Sequence, residues 1–185
     1  GNSNIASLGH TAFVALGAYS VAILATPVAT KQLSIPNAPF GLAEIALHPL
    51  AAAAAGLVVV GVIALLTGLV IARLSGIAAT ILTLCLLMIV HSVIIHWSDL
   101  FKGSQAFFGI PQVVNLPLAI VAATAGIVIA RLFKDSRAGL QLRASAENLL
   151  AARAFGVNVV RLRLASWILG ALLCAVAGML YAYFM

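Results

Sequence analysis

The chain has 185 residues, 64% of them hydrophobic and 8% charged, with a formal net charge of +6 and a mean hydropathy of +1.19. A soluble domain carries roughly 25% charged residues, so ten basic and four acidic side chains cannot cover a water-facing surface. The surrounding medium is mostly lipid, and long apolar runs without period-two alternation select helices over a closed barrel.

A span needs about 20 apolar residues. The first candidate runs from Leu8 to Thr30, the second from Ile45 to Ala72 and the third from Gly76 to His96. A fourth lies within Val113 to Ala130, and the fifth is Leu164 to Met185. An all-α integral membrane protein of about five helices is implied. Lys31, Pro36, Pro39 and Gly41 break the chain between the first two spans. Asp99, Lys102, Gly103, Gly109 and Pro111 break it between the third and fourth. Only Arg73-Leu74-Ser75 separates the second span from the third, which predicts a tight hairpin with its two helices as antiparallel neighbours. The chain starts at Gly1-Asn2-Ser3-Asn4 and stops at Met185 inside an apolar run, as expected of a fragment of a longer protein.

Basic residues are retained on the cytoplasmic side. Alternating the spans puts Arg73, Arg131, Lys134, Arg137, Arg143, Arg153, Arg161 and Arg163 on one face and only Lys31 and Lys102 on the other. The segment 131–163 is therefore expected in the cytoplasm and both Pro/Gly-rich loops outside. The basic bias suits anionic membrane lipid and requires no nucleic acid.

No motif for catalysis is present: HExxH, GxSxG and paired intramembrane carboxylates are all missing, and no Lys sits in a phosphate-binding Gly-Lys-Ser/Thr sequence. No enzyme, cofactor or metal site is expected, and any energy source must sit on another polypeptide. Cys85 and Cys174 read as plain buried thiols, and His10, His91 and His96 as hydrogen-bonded structural histidines. In the fifth span Ser166, Gly170, Cys174, Gly178 and Ala182 recur every four residues, a small-residue stripe that admits a close helix neighbour. In the basic loop a polar turn at Asp135 to Gly139 precedes a helical run, Leu140 to Phe155, that ends at Gly156.

Four blocks of residues, in order, resemble the LivM-like membrane permease subunits of ABC importers for branched-chain amino acids. They are Ser7-Leu8-Gly9-His10 with Phe13 and Gly17-Ala18-Tyr19; Arg73-Leu74-Ser75-Gly76 with Thr83-Leu84; Trp97-Ser98-Asp99 with Gly103-Ser104 and Gly109-Ile110-Pro111; and Ser136-Arg137-Ala138-Gly139 with Arg143-Ala144, Glu147, Ala151-Ala152-Arg153-Ala154 and Gly156-Val157-Asn158. The resemblance implies one permease domain over 1–185 in a bacterial inner membrane. It also implies a second permease subunit, two ATP-binding ATPase subunits, a soluble substrate-binding protein and an apolar amino-acid substrate. It makes Arg143, Glu147, Ala151, Ala152 and Gly156 the ATPase-coupling loop and leaves Gly170, Cys174 and Gly178 for helix packing. One departure is that Leu150, not Glu, precedes Ala151-Ala152, the nearest Glu being Glu147. A channel or secondary carrier without an ATPase is the alternative class. Topology is tested with single cysteines at Gln105 and Asn148 in a background lacking Cys85 and Cys174. They should label from opposite sides of the membrane; labelling of both from outside intact cells would invert the assignment.

Overall fold

The computed structural model describes residues 7–35, 38–103 and 107–185. Gly1 to Asn4, Pro36, Ser104 and Gln105, all used in reading the sequence, lie outside the described residues. Helices α1 His10–Ala25, α2 Val28–Ser34, α3 Pro49–Ile71, α4 Gly76–His96, α5 Ser98–Phe101, α6 Leu116–Asp135, α7 Arg137–Glu147, α8 Leu149–Ala154 and α9 Val159–Phe184 follow one another, with one 3-10 turn at Pro39–Gly41. No strand occurs among the described residues. Helices α3, α4, α6 and α9 are long and apolar enough to cross a membrane, and α1 is a shorter apolar helix, matching the five hydrophobic helices expected.

Three boundaries differ from the sequence reading for local reasons. The first span breaks at Thr26, held extended (φ −63°, ψ 137°) by the following Pro27, since a residue preceding proline is pushed out of the helical region. The Thr26 hydroxyl turns back to donate to the Ala22 carbonyl (2.6 Å). Helix α6 runs on through Arg131 and Lys134, and α9 begins at Val159, so much of the basic segment is the ends of long helices. Helix α4, although joined to α3 by a short hairpin, packs mainly on α1 instead of lying along α3. A cleft of 170 Å³ opens between Thr67, Val70 and Ile71 on α3 and Leu82, Leu86 and Ile89 on α4. Gly76 (φ +62°) turns the chain at the start of α4.

The core is the triad α1, α3 and α9. Each member turns a four-residue repeat inward: Phe13, Gly17, Val21 and Ala25 on α1; Ala52, Gly56, Val60, Ala64 and Gly68 on α3; Trp167, Ala171, Ala175, Met179 and Tyr183 on α9. Such a repeat drifts slowly round a 3.6-residue helix, so the small residues form a groove that another backbone can enter. Gly17 and Ala175 meet here, as do Gly178 and Val14: a Cβ at Gly17 would stand 2.8 Å from Ala175 Cα, and one at Gly178 would stand 2.8 Å from the Val14 carbonyl carbon. Phe13, His10 and Trp167 pack edge to face, with Phe13 to Trp167 centroids 5.5 Å apart.

Side-chain and backbone hydrogen bonds tie down the far end of the triad. Tyr183 donates its hydroxyl to the Pro49 carbonyl (2.7 Å), the Leu47 amide donates to the Leu24 carbonyl (3.0 Å), and the Gln112 amide donates to the Met185 carbonyl (2.8 Å). Lys31 is fully buried, its ammonium donating to the carbonyls of Leu42 (3.4 Å) and Ile45. One of the two cations expected to mark the outer face is thus a clamp on the segment after α2.

The close contacts predict a graded glycine series. Gly17→Ala and Gly178→Ala push a methyl into backbone and should each cost about 1 to 3 kcal/mol. Gly61→Ala and Gly126→Ala, whose new methyls would meet only Leu172 at 3.8 Å and Leu173 at 3.9 Å, should be neutral or stabilise by up to about 1 kcal/mol through helix propensity. Thermal denaturation of the four variants in detergent checks the ranking. Equal losses at all four sites would mean that the triad is packed on different faces.

Candidate functional site

The segment that joins α6 to α9 is folded by its own polar residues. Ser136 caps α7, accepting from the Gly139 amide (3.3 Å) and donating to the Phe133 carbonyl (2.6 Å). Gly139 lies against the carbonyls of Phe133 and Lys134, where a side chain would collide with backbone. Arg143 reaches back to donate to the Lys134 carbonyl (3.2 Å). Ser136, Gly139 and Arg143, three residues of the fourth sequence block, therefore lock one corner between α6 and α7.

The expected single helix over Leu140 to Phe155 is two helices. Asn148 takes an extended backbone (φ −144°, ψ 101°) and accepts the Ala151 amide on its side chain (3.0 Å), which ends α7 and caps α8. At the other end Gly156 adopts φ +76°, with Val157 N–H donating to the Ala152 carbonyl (3.1 Å) and Gly156 N–H to the Arg153 carbonyl (2.9 Å). That pair of bonds is a Schellman stop, for which a left-handed residue is required at Gly156. Asn158 then caps α9 by accepting the Arg161 amide (3.1 Å).

Burial sorts the loop into two sides. Leu142, Ser145, Ala152 and Val159 are buried, while Glu147, Leu150, Arg153, Ala154, Phe155 and Gly156 are exposed. Leu150 is 78% and Phe155 86% exposed, large apolar side chains close in sequence to the exposed cation Arg153. Ala151 is half-buried; Ala152 faces the chain's own interior, so its small size serves packing within this chain. Arg143 is half-buried in the middle of α7 and Glu147 is exposed at its last residue. The helix-packing candidates sit elsewhere, on α9: Gly170 abuts the His10 imidazole, Gly178 abuts Val14, and Cys174 is half-buried between them. Gly178 is buried, as are Ala171 and Ala175 on the adjoining column of α9. Cys85, expected to be buried, is exposed on α4, as are His91 and His96. His96 bonds within its own helix, its Nδ1 2.9 Å from the Ser92 carbonyl oxygen.

Besides the cleft between α3 and α4, further cavities line the bundle, two of them at its opposite ends. An apolar one of 590 Å³ opens near the α9 terminus between Tyr19, Phe107, Phe108 and Tyr181. A smaller polar one of 90 Å³ lies near the hairpin end, lined by Ser7, His10, Thr83, Arg163, Ser166 and Trp167 with Ile71 and Ala72. Sequence reading did not bring this second group together: it placed Ser166 in the small-residue stripe, read His10 as a structural histidine and counted Arg163 with the basic face. Its signal was a scatter of small polar residues within apolar runs, which ordinarily bond to their own helix.

Among the described residues no group of three metal-ligating side chains comes together. No curated protein and no solved structure matches the chain. The model for the permease component of branched-chain amino acid transport systems matches residues 1–185, and the chain belongs to that family of membrane transport proteins.

Proposed function

We propose that the chain is the permease subunit of an ATP-driven importer for branched-chain or similar apolar amino acids. It forms the pathway with a second permease, takes substrate from a soluble binding protein on the outer side, and is driven by two ATPase subunits on the side of the α7–α8 loop. The observation that carries the reading, beyond family membership, is that loop. A segment meant only to connect two spans would not need three separate backbone locks, yet this one leaves Leu150 and Phe155 exposed close to Arg153 in sequence. Exposed aromatic and aliphatic anchors next to an arginine are the chemistry of a protein contact site. Lipid alone would be served by the charges.

In this reading α8 and its Gly156 stop enter a groove on the ATPase. ATP-driven closure of the ATPases then biases the permease between two states, because the loop makes different contacts in each. Arg143 and Glu147 act from α7: Arg143, in mid-helix, holds the corner with α6, and Glu147, exposed at the helix end, faces the partner.

The test uses the complex reconstituted in vesicles. Leu150→Asp and Phe155→Asp should lower amino-acid uptake and binding-protein-stimulated ATP hydrolysis together, by at least about tenfold. Gly156→Val should do the same, since a β-branched residue is poorly tolerated at positive φ. All three should insert normally, because no span or basic residue is altered. Full uptake by the Leu150→Asp, Phe155→Asp double variant would remove the ATPase from this loop.

A further inference from the structure

Arg163 stands where α9 begins, and only part of its guanidinium is used. One terminal nitrogen, Nη1, donates to the Leu74 carbonyl across the α3–α4 hairpin (2.7 Å). Among the described residues its Nε–H, like that of Arg143, is buried and has no acceptor. The side chain lines the polar cavity of 90 Å³, whose other polar walls are Ser7, His10, Thr83 and Ser166. Among the described residues no Asp or Glu lines it. A buried N–H of a charged group without an acceptor is costly to keep. A cavity that provides one cation and several hydroxyls, but no anion, is therefore incomplete without a negatively charged guest.

The remaining groups are already ordered. Ser7 Oγ lies 2.7 Å from His10 Nδ1, which fixes the imidazole, and the ring packs on Trp167 at a centroid distance of 4.8 Å. Trp167 is held in turn by donating its indole N–H to the Thr67 hydroxyl (3.3 Å). Thr83 accepts the Leu8 amide (3.3 Å) and donates to the Thr80 carbonyl (2.8 Å). The start of α1 at His10 opens at the same cavity, and the positive end of a helix adds a field that favours an anion.

The geometry points to a carboxylate site, taking the charged end of the amino-acid substrate on the Nε–H edge of Arg163. Guanidinium binds carboxylate side-on through two parallel N–H groups, and with Nη1 engaged by Leu74 the edge carrying Nε is the one left over. Size agrees. A water occupies about 30 Å³ of liquid, so 90 Å³ accommodates a carboxylate and its α-carbon and leaves the apolar side chain outside. A phosphate dianion is a poorer match for a single arginine. The inference rests on the amino-acid permease reading and specifies where within this chain the substrate's charge is held.

The experiment uses the full complex in vesicles with a Ser166→Cys thiol in the cavity wall, Cys85 and Cys174 having been replaced. Leucine and 3-methylbutanoate should protect this thiol from a maleimide, and leucinamide should not. Arg163→Gln, which keeps a donor for Leu74, should abolish protection and raise the half-saturation concentration for leucine uptake about ten- to a hundredfold. Arg163→Lys should restore part of it, and Arg161→Gln, at an exposed neighbour, should leave both readouts unchanged. Equal protection by leucine and leucinamide, no protection by any of the three, or protection by phosphatidylglycerol vesicles alone would each overturn the carboxylate site. Normal leucine uptake with an unaltered half-saturation in Arg163→Gln would overturn it while leaving the permease reading intact. Arg163-dependent protection by 3-methylbutanoate in a complex that moves no amino acid would sink the permease reading and keep the site.

Discussion

Close approach of backbones in lipid is the constraint on which this fold depends. Lipid tails are as apolar as leucine, so helices gain little by hiding apolar surface from one another and must gain from contact distance instead. Dispersion between atoms falls away within an ångström of its optimum. Helices α1, α3 and α9 meet the requirement by placing glycines and alanines among the larger residues of the shared face, and Gly17 against Ala175 and Gly178 against Val14 are among its tightest points. Helices without such a face stand off. Helix α6 buries no residue and α4 buries only three, so both offer leucine, isoleucine and valine to their surroundings.

The same physics explains what could be read from the sequence. Length and hydropathy located the long helices because crossing lipid demands an uninterrupted apolar run, and Lys/Arg asymmetry divided the loops between two faces. Which face of each helix turns inward was less visible, since a span that is apolar all round has almost no amphipathic signal. The α9 stripe runs along the edge of the contact at Gly170 and Cys174 and enters it at Gly178 and Ala182, while Ala171 and Ala175 fill the middle. In a helix where alanine, glycine and cysteine alternate along adjacent columns, spacing alone does not separate the columns. Likewise, the hairpin Arg73-Leu74-Ser75 fixed that α3 and α4 are joined without fixing that they run side by side.

Polar positions divide along similar lines. Gly156 was legible because only a left-handed residue allows the Schellman bonds from Val157 and Gly156. Asn148 was not, because asparagine is a helix cap only when the chain on both sides supports a break. The cavity around Arg163 was invisible for a different reason: Ser7, Thr83, Arg163 and Ser166 come from three distant parts of the chain, and each has an unremarkable local explanation. The unmet Nε–H of Arg163 distinguishes them only when packing is known.

Arg163 also shows how a loop can act on a bundle without touching its core. From α8 the chain passes through the Gly156 stop and the Asn158 cap directly into α9, leaving few free torsions between the exposed Phe155 and the guanidinium. From there one hydrogen bond leads to Leu74, at the hairpin whose two helices diverge around a cleft. A close-packed triad does not deform by small degrees, so a push on α8 is taken up where packing is thinnest. The hairpin and α4 are that place, since α4 packs mainly on α1 and encloses open space with α3. A partner that moves α8 would therefore shift α4 relative to the triad and reshape the polar cavity that Thr83 of α4 and Arg163 of α9 both line. The arrangement joins the loop that would receive mechanical work to the walls of the cavity that would hold the substrate's charge, with a rigid three-helix core as the fixed frame for both.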